Sequence, residues 1–287
     1  MKNSNIEWTT HTFNPWIGCT KVSRGCLNCY AEARDLRFDG GMHWGRGAPR
    51  CRTSPANWRE PAKWEKEYLD ADREFKKMPV PAGCFAPPGI IPPHRPRVFC
   101  ASLGDWLDRD VDPKWRHDLL NVIRKTPNLD WLLLSKRPEN FERMINHAHE
   151  YAEDYDLRSW AWDWLHATPP DNVWIGASAE DQEAFETRTK ILATIPAKVR
   201  FLSCEPLLGP IDLRQVGGTG KIVEWIICGG ESGTSARRME ISWARDLRRQ
   251  CLEDGIAFFM KQLGGERDKR GELADLPEDL RIRQFPL

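Results

Sequence analysis

Three cysteines close to the start of the chain are the residues best suited to chemistry. Cys19, Cys26 and Cys29 follow the spacing CxxxxxxCxxC, with no fourth cysteine or histidine between them. A structural zinc site takes four ligands in a closed tetrahedron. A cubane iron–sulfur cluster held by three thiolates instead keeps one iron free for another molecule. The spacing therefore favours an incomplete ligand shell, which is where a substrate or cofactor binds.

Two other interpretations of the three cysteines stay open. A distant side chain such as Cys51 or His43 could complete a zinc site, or the thiols could bind nothing. The chain has nine cysteines, an odd number, and it shows no basic-then-apolar secretory signal at its start. We therefore expect reduced thiols with a metal or cluster, and a cytoplasmic protein.

Composition narrows the class of protein. The chain has 287 residues, of which 40% are hydrophobic and 29% charged, so it can bury a sizeable core. Lys plus Arg and Asp plus Glu number 42 each, so no net charge draws the whole protein to nucleic acid or to an anionic membrane. No apolar run approaches the roughly 20 residues that span a bilayer. We expect no association with membranes.

The first part of the chain leads from the cysteines into an irregular segment. A strand at Ile6 to Thr9 or Thr12 to Trp16 is expected before the cysteines, and a helix from Tyr30 places the third cysteine at a helix N-terminus, which lowers a thiol pKa. Residues 39–96 form an irregular insertion rich in Trp, Arg and Pro, with one helix from Pro61 to Lys77. The roles of its cysteines, Cys51 and Cys84, stay open.

After residue 97, short apolar runs alternate with helical segments. Asp112 caps one of these helices with Pro113 in its first turn, and Gly255 ends another. This alternation predicts an α/β fold of parallel strands joined by right-handed crossovers, either an open sheet or a partial or full barrel. The whole chain, 1–287, is expected to be a single domain with a tail at 266–287. The predicted strands are Val98 to Ala101, Trp131 to Leu134, Val173 to Gly176, Arg200 to Leu202, Trp225 to Cys228 and Ala257 to Met260.

Polar residues follow each of these strands. In a parallel barrel all strand ends converge on the edge where such folds place their active sites. Serine and aspartate also cap helices, so any single one of these residues has a purely structural explanation. Charged side chains of both signs are harder to explain by capping alone, and we therefore predict a lined pocket. Its candidate residues are Ser102, Asp105, Ser135, Lys136, Arg137, Ser178, Glu180, Glu205, Gly229, Gly230, Glu231, Ser232, Lys261 and Gln262.

Tryptophan and arginine also suggest a nucleic-acid surface in the insertion. Trp44, Trp58 and Trp64 lie among arginines, and aromatic and guanidinium groups stack bases and hold phosphates. A folded protein surface is the alternative explanation. The cysteines at later positions lie in apolar runs or on a helix face and are expected in the core. These are Cys100, Cys204, Cys228 and Cys251.

Several blocks of the sequence resemble a phage-associated three-Cys-motif family related to the radical S-adenosylmethionine (SAM) enzymes. The blocks Phe201 to Pro210 and Gly229 to Gly233 are the most specific. The resemblance implies a partial (β/α) TIM-like barrel of the radical-SAM type, with a [4Fe-4S] cluster on Cys19, Cys26 and Cys29 and SAM on the open iron. The other blocks are Cys19 to Tyr30, Val98 to Leu107, Leu133 to Pro138, Asn172 to Asp181, Arg200 to Leu213, Trp225 to Met239 and Gly255 to Gly265.

The resemblance also implies a reaction and roles for the pocket residues. An electron from the cluster would cleave SAM to methionine and a 5′-deoxyadenosyl radical, which takes a hydrogen atom from a polar substrate. That substrate is expected to be a small molecule, a nucleotide or a hypermodified DNA base that is rearranged. An external electron donor is needed, and a phage-encoded protein would act in the host cytoplasm. Cofactor contacts are assigned to Tyr30, Ser102, Asp105, Gly229, Gly230, Glu231 and Ser232, and catalytic or substrate contacts to Ser135, Lys136, Arg137, Ser178, Glu180, Glu205, Lys261 and Gln262.

Two features depart from the common radical-SAM pattern. The usual spacing is CxxxCxxC with an aromatic residue before the last cysteine, whereas here six residues fill the first gap and Asn28 takes the aromatic position. The Gly-Gly-Glu motif usually follows an early strand, but residues 229–231 come late. Whether this motif binds SAM therefore stays open. The alternative function is a non-catalytic, zinc-stabilised nucleic-acid-binding protein.

Overall fold

A curled sheet of seven parallel strands forms a half barrel at the centre of the molecule. The computed structural model describes residues 1–80 and 90–286. Within them the sheet has the strand order β1-β4-β5-β6-β7-β8-β9, so each strand after β1 pairs with the next one along the chain. Its strands are β1 (His11–Thr12), β4 (Arg97–Cys100), β5 (Asp130–Ser135), β6 (Val173–Ser178), β7 (Val199–Cys204), β8 (Trp225–Gly229) and β9 (Ala257–Gln262).

Helices follow the strands as the alternating pattern predicted. Asp112 accepts a hydrogen bond from the backbone N–H of Lys114 at 2.8 Å, and Gly255 takes the left-handed conformation with φ of 70°, so both predicted helix ends are confirmed. A helix at Tyr155–Leu165 was not predicted. In the described residues the helices are α1 (Tyr30–Asp39), α2 (Pro55–Trp58), α3 (Glu60–Lys77), α4 (Pro113–Arg124), α5 (Phe141–Tyr151), α6 (Tyr155–Leu165), α7 (Gln182–Leu192), α8 (Thr219–Ile222) and α9 (Ile241–Asp254).

The N-terminal strand overlaps the second of the two predicted positions only at Thr12. His11 and Thr12 pair with Val98 and Phe99, which places β1 at the edge of the sheet directly before the cysteines. The next two residues with strand geometry, β2 (Trp16–Ile17), pair antiparallel with β3 (Cys51–Arg52) of the insertion. This short antiparallel pair holds part of the insertion beside the segment that carries the cysteines.

Aromatic side chains fill the inside of the half barrel. Successive residues of a strand face opposite sides of the sheet, so Phe201 points inward while Leu202 packs against the helices. Trp8 covers the inner face, with its ring centroid 4.6 Å from that of Phe99 and 6.1 Å from that of Trp225. The inner layer is therefore an apolar floor beneath the carboxyl ends of the strands.

Two tryptophans of the insertion pack within the protein, whereas Trp44 lines a cavity. Trp64 is 1% exposed and stacks on the His11 ring with centroids 4.4 Å apart, so it is not available to a base. Trp58 packs against the core, and the Arg52 guanidinium lies 4.0 Å from its ring centroid. The predicted helix of this segment is confirmed as α3. Cys84 lies outside the described residues.

In the two described ranges no helix combines the length and apolarity that a membrane span requires.

Close packing inside the half barrel predicts a cost for enlarging Gly176. An added Cβ would lie 2.3 Å from the Phe201 ring, so Gly176→Ala must displace an aromatic side chain in a full core. We expect the free energy of unfolding to fall by about 1–3 kcal/mol in urea denaturation. A smaller side chain at position 201 should relieve the clash. Gly176→Ala should therefore lower the free energy of unfolding much less in a Phe201→Leu background.

A control glycine lies in open space. A Cβ on Gly217 would meet no atom within 4 Å, so Gly217→Ala should change the free energy of unfolding by less than about 0.5 kcal/mol. Equal destabilisation by the two substitutions would contradict the packing explanation.

Candidate functional site

A cavity of about 670 Å³ opens at the carboxyl edge of the sheet. The three cysteines Cys19, Cys26 and Cys29 all line it. They belong to a segment that we call the thiol loop, residues 19–29, which runs from the end of β2 to the first turn of α1. The structure therefore brings the three predicted metal ligands together at the edge where parallel barrels place their active sites.

Glu180 holds the middle of the thiol loop. The backbone N–H of Gly25 donates to its Oε1 at 3.2 Å, and Arg188 Nη1 donates to its Oε2 at 2.7 Å. Glu180 is 1% exposed, and burial raises its pKa, but the charge of Arg188 and a hydrogen bond from Ser23 outweigh this effect and lower the pKa below its usual value. This ionised carboxylate is used to fix the loop, and it does not line the cavity.

Glu231 holds the end of the thiol loop in a similar way. Arg237 donates to both carboxylate oxygens, from Nε at 2.8 Å and from Nη2 at 2.6 Å, and Asn28 Nδ2 donates to Oε2 at 3.0 Å. Burial opposes the charge, but the hydrogen bonds from Arg237 and Asn28 lower the pKa of Glu231. Its lone pairs are therefore engaged by protein donors.

Gly229 and Gly230 lie outside the cavity lining as well. A Cβ on Gly230 would lie 2.0 Å from the Leu263 carbonyl oxygen, so the glycine permits the close approach of two chain segments. The Gly-Gly-Glu motif thus has a structural explanation here, in the packing of the β8 end against the β9 end and against the thiol loop.

An arginine joins the first cysteine to the strand ends. Both terminal nitrogens of Arg137 lie 3.5 Å from the Cys19 sulfur, and Nη1 also donates to Asp105 Oδ2 at 2.8 Å. The side chains of Arg137 and Asp105 are each 7% exposed. Burial opposes the charge of Arg137, but Asp105 and Cys19 raise its pKa. Asp105 also accepts from the Ser135 hydroxyl at 2.7 Å, which fixes the carboxylate itself.

The thiols of Cys19 and Cys29 are less acidic than the sequence suggested. Burial raises the pKa of Cys19 to about 12, with Asp105 adding to the rise and Arg137 opposing it. Burial also raises the pKa of Cys29, although the backbone N–H groups of Glu32 and Ala31 oppose the rise at the start of α1. The predicted helix N-terminus is confirmed, but the predicted lowering of the thiol pKa is wrong, because burial outweighs the helix. Such thiols lose their protons when a cation takes up the thiolate charge.

Single-metal and polynuclear centres place different demands on the distances between the sulfurs. Zn–S bonds of about 2.3 Å place the sulfurs of a tetrahedral zinc site about 3.8 Å apart. In the described part of the chain, Cys19, Cys26 and Cys29 do not form a group whose sulfurs all lie within 4.8 Å of one another. A polynuclear cluster does not require the three sulfurs to lie so close together, since each thiolate binds a different iron.

The two proposed fourth ligands of a zinc site are engaged elsewhere. His43 Nδ1 lies 2.7 Å from Asp35 Oδ1, and with Asp39 these residues form a separate group of ligand atoms within 4.8 Å. Cys51 lies in β3, and its thiol points to the Arg52 carbonyl at 3.7 Å. Neither residue joins the three cysteines in a single-metal group among the residues that the structure describes.

Most of the other predicted site residues face the cavity. Tyr30 lies against the loop after β4, because its hydroxyl donates to the Ser102 carbonyl at 2.6 Å. Lys136 Nζ donates to Ser178 Oγ at 3.0 Å, and Lys261 Nζ lies 2.5 Å from Glu205 Oε1. The predicted residues that line the cavity beside the cysteines are Tyr30, Ser102, Asp105, Ser135, Lys136, Arg137, Ser178, Glu205, Ser232, Lys261 and Gln262.

Some lining residues were missed by the sequence analysis. Asn14 accepts from the Leu103 N–H at 2.8 Å and donates to Ser102 Oγ at 3.0 Å, so it orients the loop after β4. Its position before Pro15 marks a turn but gives no sign of this role. Lys269, in the predicted tail, lines the cavity and pairs with Glu7. No sequence pattern places the two ends of the chain at one cavity.

The predicted core cysteines are confirmed. Cys100, Cys204, Cys228 and Cys251 are all at most 1% exposed. Burial raises the pKa of each of these thiols. They are protonated apolar packing residues at neutral pH.

Comparison with known proteins assigns a family without a function. Residues 3–278 match a family described as "Protein of unknown function (DUF5131)", and because the match covers nearly the whole chain, the chain belongs to this family. No curated protein and no solved structure matches the chain. The function must therefore be inferred from the site itself.

The buried Asp105–Arg137 pair lies beside Cys19, and we expect the loss of its negative charge to reduce stability strongly. Asp105→Asn keeps the shape of the side chain but leaves the buried Arg137 guanidinium without its counter-charge. We expect the free energy of unfolding to fall by about 3 kcal/mol or more in urea denaturation at pH 7. Asp279→Asn removes an exposed pair with Arg245 and should cost less than about 1 kcal/mol. Similar costs for the two variants would contradict the role of burial.

Glu180 predicts a pH-dependent contribution to stability. Its folded-state pKa is lowered, so its stabilising effect is complete above the unfolded-state value near 4.5 and is lost as the pH falls through the folded-state value. Glu180→Gln should therefore lower the free energy of unfolding by about 3 kcal/mol at pH 7, and this difference should shrink below about pH 4.5. Urea denaturation from pH 7 to pH 3 measures it.

An exposed glutamate in the first turn of the following helix, α7, provides the control. Glu183→Gln removes a charge at the solvent surface and should change the free energy of unfolding by less than about 0.5 kcal/mol at every pH. A Glu180→Gln difference that stays constant down to pH 3 would refute the assignment of an ionised buried carboxylate.

Proposed function

We propose that this DUF5131 protein is a radical SAM enzyme whose thiol loop binds a [4Fe-4S] cluster through Cys19, Cys26 and Cys29. The observation that carries the proposal is that three thiols of one short loop line the same cavity at the carboxyl edge of the sheet. The half barrel is accordingly proposed to be of the radical-SAM type. Among the described residues, the zinc alternative finds no support in the distances between the sulfurs.

When bound, such a cluster supplies the electron that cleaves the carbon–sulfur bond of SAM into methionine and a 5′-deoxyadenosyl radical, which then takes a hydrogen atom from the substrate. The task of the chain is to hold the reactants and to exclude water and other hydrogen donors. The buried contacts of Glu180 and Glu231 give the thiol loop one fixed position over the cavity. The aromatic floor, with Trp8 and Phe99, lines the opposite side.

The loop after β4 is the part of the chain best placed to contact SAM. Gly18, directly before Cys19, forms a parallel bridge with Gly104, and its N–H donates to the Leu103 carbonyl at 3.0 Å. Ser102 lines the cavity on the same loop. We assign the amino group of SAM to this loop rather than to Gly229, Gly230 and Glu231, whose polar groups are engaged within the protein.

The ends of β5 to β9 remain for the second substrate and for the carboxylate of SAM. They contribute hydroxyl, ammonium, carboxylate and amide groups to the same cavity, as a polar substrate requires. The cavity volume lies within the range of small-molecule sites, about 300–1,000 Å³. A nucleotide or a modified DNA base remains our prediction for the substrate, together with an external protein or chemical electron donor.

The ligand assignment predicts different outcomes for two cysteines of similar exposure. After anaerobic reconstitution with iron and sulfide, Cys26→Ala should lack visible iron–sulfur absorption and should form no 5′-deoxyadenosine from SAM and dithionite, because one cluster ligand is missing. Cys51→Ala removes another half-buried thiol outside the loop and should retain both properties. Iron analysis, absorption spectra and chromatography of the nucleoside products measure these outcomes.

A second control tests for general damage. Cys251→Ala alters a buried core thiol and should also keep the cluster. Equal iron content in the Cys26→Ala and Cys251→Ala variants would refute the ligand assignment. Colourless wild-type protein with stoichiometric zinc, even after reconstitution, would refute the proposed function.

A further inference from the structure

Three of the five Lys and Arg side chains that line the cavity have a counter-charge, while Arg34 is exposed on α1 and lies over the Phe38 ring. Arg137 pairs with Asp105 at 2.8 Å and Lys261 pairs with Glu205 at 2.5 Å, while Lys269 pairs with Glu7. In each of these pairs a carboxylate of the protein neutralises the cation. They therefore offer little net attraction to an anionic ligand.

Lys136 differs from these three cations. It is half-buried at the end of β5 and lines the cavity. Within residues 1–80 and 90–286, no carboxylate lies within 4.0 Å of its ammonium, which donates only to Ser178 Oγ at 3.0 Å. An ammonium has three N–H donors, so two are left unused. A half-buried charge without a counter-charge is costly, and a bound anion would relieve that cost.

The hydroxyl groups beside Lys136 add further donors. Ser178 Oγ accepts from Lys136, which leaves its own hydrogen available to a ligand. Ser178 pairs in register with Ser203 on the next strand, and both residues line the cavity. The carboxylate of Glu180 is engaged by Arg188 and the Gly25 N–H, so its charge acts on Lys136 only from beyond ion-pair distance.

We propose that Lys136 and Ser178 form an anion subsite that binds a carboxylate or phosphate group of a ligand in the cavity. This assignment deepens the proposed function and rests on it for the identity of the ligand, but not for the existence of the subsite. The anion has two possible sources, the methionyl carboxylate of SAM and an anionic group of the second substrate. Arg137, the neighbouring cation, is excluded from this role because Asp105, Cys19 and the Thr20 carbonyl take its donors.

Binding measurements on the reconstituted protein separate the two sources. The probes are S-adenosylhomocysteine, which carries the carboxylate, 5′-methylthioadenosine, which keeps the nucleoside thioether without the amino acid, and inorganic phosphate. Lys136→Met should weaken at least one anionic probe by roughly ten- to hundred-fold in isothermal titration calorimetry, the range for hydrogen bonds to charged groups. Binding of 5′-methylthioadenosine should not change. Lys136→Arg should restore most of the lost affinity, since it restores the charge.

The pattern of loss identifies the ligand. Weaker S-adenosylhomocysteine binding assigns the subsite to SAM, and weaker phosphate binding alone assigns it to the second substrate. Lys221→Met removes an exposed lysine from α8 and should leave all three affinities unchanged. Wild-type protein that binds neither anionic probe, or Lys136→Met protein that binds both normally, would overturn the proposal.

The test also distinguishes failure of the subsite from failure of the proposed function. Protein that takes up no iron but shows phosphate binding dependent on Lys136 would refute the radical SAM chemistry and keep the subsite. Protein that binds a cluster, but whose anion binding does not depend on Lys136, would refute the subsite and leave the radical SAM proposal standing.

Discussion

Buried carboxylates at the strand ends hold the thiol loop in place, and the rest of the site depends on these contacts. Glu180 and Glu231 each combine an arginine with an N–H donor of the loop, and Asp105 acts on Cys19 through Arg137. Removing such partners from a buried carboxylate lowers the free energy of unfolding of the protein by roughly 3–5 kcal/mol. The loop and the three strand ends therefore keep one relative position, and the three sulfurs are presented to the cavity together.

This constraint divides the charged residues of the carboxyl edge into two groups with different tasks. Glu180, Glu231 and the Asp105–Arg137 pair are saturated by protein partners and organise the loop. Lys136 has a donor set that the described protein residues leave largely unused, and it faces the cavity. Charge alone does not reveal this division. It follows from which partners the fold brings within hydrogen-bond distance, and it separates residues that build a site from those that can bind a ligand.

The inner aromatic layer complements the polar edge. Trp8 and Phe99 belong both to the apolar core of the half barrel and to the lining of the cavity, so the polar residues at the strand ends lie above an apolar floor. A site of this kind strengthens electrostatic interactions, because low-dielectric surroundings screen charges less than water does. The same property raises the pKa of the buried thiols and makes their ionisation depend on a bound cation.

The sequence by itself determined the alternation of strands and helices, the helix that starts after Cys29, the buried cysteines and the set of polar residues at the strand ends, because periodicity, capping and turn chemistry are local. It did not determine the position of β1, the packing of Trp64 or the structural use of Gly230. It also could not tell Glu180 from Glu205, since both follow a strand in the same way. Only the tertiary structure decided which charges are neutralised, because Arg188, Arg237 and the thiol loop reach their partners from distant parts of the chain.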